Sequence, residues 1–223
     1  PGGLAAAALI GVAAALKATA FIALPFTVWI MVARVAGALP YRADKSRWRN
    51  LADTWRRFGT LVWTGLLSVA ACLGVLALVT VVTNQTWGWV TEVTGNSKVI
   101  NPLALPSFVA STLEPLLSRI NDSLTFNVLV DAIRPVSSAL MLLGLVITWW
   151  LFRHDERTAF AGMAIAYAIT CVFNTVTLPW YYTAPLALVV LASQSRLVVY
   201  LTSVFCMWIT FMFDGGGNNR LYA

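Results

Sequence analysis

The sequence predicts an all-α membrane protein, a polytopic bundle of transmembrane helices. Of its 223 residues, 59% are hydrophobic and only 11% are charged, whereas about 25% of the residues in a soluble domain are charged. Apolar runs long enough to cross a hydrocarbon core of about 30 Å recur along the chain, and most charged residues fall between them. This composition excludes the usual soluble domains and disordered chains.

The apolar runs divide the chain into six predicted segments. In order, these are a broken pair of transmembrane helices (1–39), a cytoplasmic interfacial amphipathic helix (40–58), a transmembrane helix (59–82), an extracytoplasmic loop with short helices (83–132), four wholly or partly spanning helices (133–213) and a flexible tail (214–223). In the first segment we expect helices at 4–16 and 20–38, interrupted at Lys17 and Pro25. Because the chain begins at Pro1 next to an apolar run, we expect it to be part of a larger protein.

The basic residues predict how the chain is oriented. Residues 40–58 combine six Lys/Arg with tryptophan and phenylalanine at helical spacing, a pattern typical of a surface helix that faces anionic membrane lipids. Cytoplasmic segments then hold ten basic residues and extracytoplasmic segments four, as the positive-inside rule requires. The net charge of +6 therefore reflects the orientation of the chain in the membrane and does not indicate a nucleic-acid partner.

Lys17 is a charged residue between two apolar runs, which makes it the strongest candidate for a functional residue within the predicted membrane segments. A lysine at the centre of a membrane helix costs about 2.5–3.5 kcal/mol on insertion scales, so it normally faces a cavity or an anionic partner. A lipid phosphate suits its compact ammonium group. The alternative is a lysine that extends from a helix end to the interface.

Two aromatic groups fall on the predicted outer side, Pro179-Trp180-Tyr181-Tyr182 and Trp87-Gly88-Trp89. One interpretation is an aromatic belt at headgroup level. The other is a binding surface for a sugar or a prenyl chain, with tyrosine hydroxyls that donate hydrogen bonds. The sequence alone leaves both open.

The remaining polar residues predict little chemistry. The outer carboxylates are expected to be solvated loop charges, apart from a local ion pair between Asp131 and Arg134. The cysteines, each within an apolar run, are interpreted as small buried hydrophobic residues. No spacing of residues typical of a phosphate-binding loop, a serine hydrolase or a zinc site occurs, so no metal is predicted.

Three stretches carry a family resemblance. LIGVAAALKATAFIALPF (9–26), TWGWVTEVTGNSKVINPLALPS (86–107) and LPWYYTAPLALVVLA (178–192) occur in this order. Together they resemble the C-terminal half of the actinobacterial polyprenol-phosphate-mannose-dependent α-(1→6)-mannosyltransferases, enzymes of the GT-C superfamily that build the mannan core of lipomannan and lipoarabinomannan. LPWYY alone is a weak signal, because many GT-C enzymes contain a similar motif.

The resemblance implies a multi-pass plasma-membrane enzyme whose active site faces the extracytoplasmic side. It implies a polyprenyl-phosphate-mannose donor, a lipid-linked mannan acceptor, no cofactor and no metal. Such enzymes carry their catalytic carboxylate on the first extracytoplasmic loop, so the general base is expected upstream of Pro1, in an N-terminal part of the same protein. Candidate residues follow: Lys17, Trp180, Tyr181 and Tyr182 for the donor and its lipid phosphate, and Trp87, Trp89, Lys98 and Asn101 for the acceptor.

Two other functions remain open at this point. Broken helices and a charged residue within the membrane are equally typical of a transporter or a lipid-handling protein without catalysis. The long outer loop favours an enzyme that docks a glycan. A third possibility is a structural subunit whose basic helix at 42–58 binds anionic lipid or a partner.

Overall fold

A computed structural model of the protein describes residues 2–37, 47–88, 104–153, 155–175, 177–193 and 195–211, of which 47–53, 179–180 and 209 are described by their backbone alone. Within these ranges the regular structure is helical throughout, which confirms the predicted fold class. The α-helices are α1 (Gly2–Leu16), α2 (Leu24–Ala36), α3 (Arg47–Val82), α4 (Leu105–Leu117), α5 (Phe126–Leu151), α6 (Glu156–Phe173), α7 (Thr183–Ala192) and α8 (Arg196–Phe211). Two short 3₁₀ helices, Ala18–Ala23 and Pro179–Tyr182, precede α2 and α7.

Three of the described helical segments are long and apolar enough to cross a membrane, Ala18–Ala36, Thr54–Val82 and Phe126–Leu151. Their outward side chains are apolar, as Leu66, Leu78 and Val146 illustrate, each more than half exposed. Exposed apolar surface of this extent suits a lipid environment and would cause aggregation in water. The chain is therefore a membrane protein.

The chain separates into two compact units. The first unit comprises residues 1–97 and 147–163, and therefore contains α1, α2, α3, the end of α5 and the start of α6. The second unit comprises residues 98–146 and 164–223, with α4, the rest of α5 and α6, and the last two helices.

In the first unit α1 and α2 form a hairpin that packs against α3. Close approach depends on Gly11, because a Cβ added there would overlap the Cys72 backbone oxygen, whereas one added to Gly3 would overlap only the flexible Met31 side chain. Cys72 belongs to a buried stripe along α3 with members four residues apart, namely Thr64, Ser68, Cys72, Leu76 and Thr80. Small side chains in such a stripe let membrane helices approach closely.

The hairpin differs from the sequence expectation at its second arm. The α-helix begins at Leu24 rather than near Ala20, and residues 18–23 form a 3₁₀ helix. Pro25 explains the position, because proline has no backbone N–H to donate and fits the first turn of an α-helix, where that group has no helical acceptor.

Two other helices are longer than the apolar runs suggest. The helix α3 is continuous from Arg47 to Val82, with no interruption near Gly59, the expected boundary between surface helix and span. One glycine costs a helix only about 1 kcal/mol, which flanking residues of good helix propensity offset. Similarly, α5 begins at Phe126 and not near Ile133.

In the second unit α4 packs on the first turns of α5 through a cluster of Ala110, Leu129 and Val130. The same part of α5 contains the predicted ion pair. Arg134 Nη1 lies 2.8 Å from Asp131 Oδ1, which confirms this pair. Further along α5, Gly144 leaves room for Ile169 of α6, so that the two helices pack closely.

Candidate functional site

Lys17 lies at the turn of the first hairpin. It follows the last residue of α1 in an extended conformation (φ −156°, ψ 118°) and precedes the 3₁₀ helix. Its backbone hydrogen-bonds to both neighbouring helices. The Lys17 N–H donates to the Ala13 oxygen of α1 at 2.8 Å, and the Lys17 oxygen accepts from the Ala20 N–H of the 3₁₀ helix at 3.0 Å. The residue is half-buried.

Segment lengths indicate the depth of Lys17. Six residues of 3₁₀ helix and thirteen of α-helix follow it, and at about 2.0 and 1.5 Å per residue they extend about 30 Å. This equals the thickness of a hydrocarbon core. Lys17 thus lies at one end of the candidate span Ala18–Ala36.

In the second unit, two hydroxyl groups cap the C-terminal end of α6. Thr177 is fully buried, and its Oγ1 donates to the Cys171 oxygen at 2.5 Å. The Ser137 Oγ of α5 donates to the Phe173 oxygen at 2.6 Å. The last carbonyls of a helix lack helical donors, so these bonds stabilise the point at which the chain leaves α6 for the aromatic turn.

Replacing Thr177 with valine removes this buried donor while keeping the side-chain shape. We expect the free energy of unfolding to fall by about 1–3 kcal/mol, because a carbonyl in the last helical turn loses its partner. Thr170→Val is the matched control: Thr170 is also buried, but its hydroxyl bonds to the Ala166 oxygen inside the helix, which retains its helical donor. Thermal unfolding of both variants in detergent checks the difference, and equal shifts would contradict the capping role.

The aromatic turn Pro179–Tyr182 is a 3₁₀ helix closed by a 2.8 Å hydrogen bond from the Tyr181 N–H to the Leu178 oxygen. Tyr182 is half-buried, and its ring meets the edge of Phe205 with centroids 5.4 Å apart. Phe205 in turn stacks on Trp208 at 5.4 Å. Burial, and to a smaller extent Cys171, raises the pKa of the Tyr182 phenol, so its hydroxyl stays protonated and able to donate at neutral pH.

The structure therefore places the donor candidates in separate units. Lys17 belongs to the first unit, and Trp180, Tyr181 and Tyr182 to the second. Of the acceptor candidates, Trp87 follows α3 and is 54% exposed, whereas Trp89, Lys98 and Asn101 lie outside the described residues. Their assigned roles stay predictions.

Sequence reasoning did not identify Thr177, Phe205 or Trp208 as neighbours of this turn. Thr177 carries a weak signal, since it is a hydroxyl residue just beyond an apolar helix. Phe205 and Trp208 are three residues apart on α8, and such a pair in an apolar helix cannot be distinguished from lipid-facing residues. Among the described residues no group of three His, Cys, Asp or Glu side chains is arranged to hold a metal ion.

Comparison with known protein families covers the part of the chain that contains the aromatic turn. Residues 120–223 match the MptB C-terminal domain family. The MptB C-terminal domain match thus includes α5 to α8, the Thr177 cap and the Tyr182–Phe205 contact. Lys17 and the first hairpin precede it.

Two curated relatives extend the similarity to the first hairpin. The chain is 41% identical over 98% of its length to alpha-(1->6)-mannopyranosyltransferase A of Corynebacterium glutamicum. It is 29% identical over 96% of its length to the protein of the same name from Mycobacterium tuberculosis. The family resemblance noted in the sequence is thereby confirmed.

The chain corresponds to only part of these relatives. It spans 44% of the length of the first and 39% of the second, so it spans less than half of either protein. No solved structure showed a significant match.

Proposed function

We propose that the chain is the C-terminal part of a membrane glycosyltransferase. The enzyme would transfer mannose from a polyprenyl-monophosphate-mannose donor to a growing α-(1→6)-mannan, the core of lipomannan and lipoarabinomannan, at the extracytoplasmic face of the plasma membrane. The observation that carries this proposal is the 41% identity over 98% of the chain to a protein named alpha-(1->6)-mannopyranosyltransferase A.

In this reaction an acceptor hydroxyl oxygen attacks the anomeric carbon of mannose. The bond from that carbon to the carrier-phosphate oxygen breaks, and the phosphate leaves with the electron pair. A general base in the N-terminal part of the protein takes the hydroxyl proton. The departing phosphate gains negative charge, which a nearby cation or hydrogen-bond donor stabilises more in the transition state than in the ground state.

Lys17 is our candidate for that cation. Its position at one end of a candidate span supports an encounter with the phosphate of a carrier whose prenyl chain lies within the bilayer. The Lys17 break follows a helix of 15 residues, which is about 22 Å long and too short to cross the core alone. A lysine at this turn can meet a phosphate without entering the middle of the membrane.

The aromatic turn is our candidate for contacts with the donor. Trp180 and Tyr181 are candidates by residue type, and the hydroxyl of the half-buried Tyr182 remains a donor at neutral pH. Trp87, Trp89, Lys98 and Asn101, which follow α3 in the sequence, are our candidates for contacts with the mannan acceptor.

The test is a transfer assay with the full-length protein in membrane vesicles. Vesicles receive radiolabelled polyprenyl-phosphate-mannose and a short α-(1→6)-mannan acceptor, and the product is digested with an α-(1→6)-specific mannanase. We expect labelled, mannanase-sensitive oligosaccharide that vesicles without the protein do not form. Movement of the labelled donor across the membrane with no labelled oligosaccharide would favour the transporter alternative and overturn the proposal.

A further inference from the structure

A cation beside three tryptophan rings lies just beyond the end of α5, in the first unit. Arg153 follows the last residue of α5 by two positions, and its Cζ lies 3.3 Å from the centroid of the Trp150 ring. The rings of Trp29 and Trp149 are 5.0 and 5.5 Å from the same atom. Trp29 comes from α2, so the group joins two helices.

The rings themselves are fixed by contacts. Trp29 and Trp149 meet edge to face with centroids 5.6 Å apart, and the Trp149 Nε1 donates to the Pro25 oxygen at 3.2 Å. The loop that carries Arg153 ends in a reciprocal cap, since Asp155 Oδ1 accepts from the Thr158 N–H at 2.8 Å and Thr158 Oγ1 accepts from the Asp155 N–H at 3.0 Å. These contacts fix two of the tryptophan rings and the start of α6, which flank Arg153 on either side.

Arg153 differs from three other arginines of this unit. Arg34 pairs with Glu156 at 2.7 Å, and Arg56 and Arg57 donate to the backbone oxygens of Ala36 and Gly37. Within the described part of the chain, no hydrogen bond or ion pair reaches the Arg153 guanidinium, and its Nε is buried without an acceptor.

A second donor beside Arg153 is also without an acceptor among the described residues. Trp29 is 6% exposed, and its Nε1 is buried and unpartnered. Two neighbouring N–H donors, one on a permanent cation, therefore lack an acceptor. Partial burial also lowers the pKa of the Arg153 guanidinium, because the charge has lost water without gaining a counter-ion.

The depth of the group indicates what the acceptor is. Arg153 directly follows the candidate span Phe126–Leu151, and Arg34 is in the last turn of the candidate span Ala18–Ala36. Both residues therefore lie at span ends near a membrane–water boundary, and the Arg153 side chain extends inward to the level of Trp29. Trp150 is 57% exposed beside the cation, and an exposed indole at this depth suits contact with the glycerol and upper acyl region of a lipid.

We propose that Arg153, held among Trp29, Trp149 and Trp150, binds the phosphate of an anionic phospholipid. Stacking occupies the face of the guanidinium, and because Nε is buried, it is the two Nη groups at the edge that phosphate oxygens would accept from. A free phosphate ion would gain nothing from the exposed ring, whereas a lipid fills the apolar side and the charged side together. This site is independent of the proposed sugar transfer, in which Arg153 has no role.

The test measures retained lipid by native mass spectrometry of the full-length protein in detergent. Dioleoyl phosphatidylglycerol, dioleoyl phosphatidylcholine and inorganic phosphate are added as separate probes. We expect phosphatidylglycerol to be retained about tenfold more weakly by Arg153→Gln than by the wild type. Arg157→Gln is the matched control, because Arg157 is an exposed arginine on the next helix and its loss should change retention by less than about twofold.

Each variant and each probe distinguishes a specific lipid site from another explanation of the retention. Unchanged retention by Arg153→Gln, or an equal loss in Arg157→Gln, would overturn the proposal in favour of diffuse surface charge. Saturation by inorganic phosphate at the same concentration would overturn the lipid assignment, as would equal retention of phosphatidylcholine. If Arg153→Gln does not fold, Arg153→Met decides: it keeps a long unbranched side chain but removes the charge and the N–H donors, and undiminished retention would refute the site.

Discussion

Replacing Gly11 with alanine is expected to lower the unfolding temperature of the protein, although alanine is the better helix former. The added Cβ would overlap the Cys72 backbone oxygen, and backbone of α3 cannot rotate away as a side chain can. Overpacking of this kind costs about 1–3 kcal/mol, which corresponds to roughly 2–12 °C in a protein of this size. Thermal unfolding in detergent, followed by size-exclusion chromatography, provides the measurement.

Gly74→Ala is the control for this prediction. Gly74 lies within α3, two residues from Cys72, and a Cβ built on it meets nothing within 4 Å. The same substitution there should stabilise the helix by up to about 1 kcal/mol, through lower chain entropy in the unfolded state. Opposite signs at the two glycines are the expected result, and a stabilising Gly11→Ala would show that α1 and α3 do not pack this closely.

Replacing Lys17 with alanine is expected to lower mannose transfer by about 100-fold, because one charged stabiliser of a departing anion contributes 10²–10³ in rate. The loss should appear in kcat rather than in KM for the acceptor, since the charge acts on the donor phosphate as it leaves. The vesicle assay with radiolabelled donor measures both. Lys17→Arg keeps the cation and should retain more activity than Lys17→Ala.

A cation elsewhere on the predicted outer side serves as the control for Lys17. Arg119 is exposed beyond the end of α4, and Arg119→Ala should leave transfer within about twofold of the wild type, as expected of a solvated charge. Unchanged transfer in Lys17→Ala would overturn the phosphate role of this lysine. Loss in Lys17→Ala with an unfolding temperature lowered as in Gly11→Ala would show a structural role at the hairpin turn instead.

Several features of the fold were predictable because they depend on neighbours along the chain. The break at Lys17 follows from a charge within an apolar run, and the pair of Asp131 with Arg134 follows from their three-residue spacing on a helix. Helix boundaries were less predictable. The onset of α2 at Leu24 depends on which helical position Pro25 occupies, and proline tolerates the first turn but not the interior.

The candidate site was predictable in residue type and not in arrangement. The LPWYY motif identified the aromatic turn, but the hydroxyl groups of Thr177 and Ser137 that cap α6 come from outside the motif. Phe205, 23 positions after Tyr182, contacts it only because α7 and α8 fold back on each other. The separation of two residues along the sequence does not show whether they are in contact when helices fold back on each other.

The sequence by itself determined that this protein is helical and belongs in a membrane, since both follow from composition and from the length of apolar runs summed over many residues. It also located the lysine at the first break. The tertiary structure alone decided that Gly11 faces the backbone of Cys72 and that Arg153 stacks on Trp150 beside Trp29. These are contacts between particular atoms of separate helices, and they depend on packing geometry that local propensity does not encode.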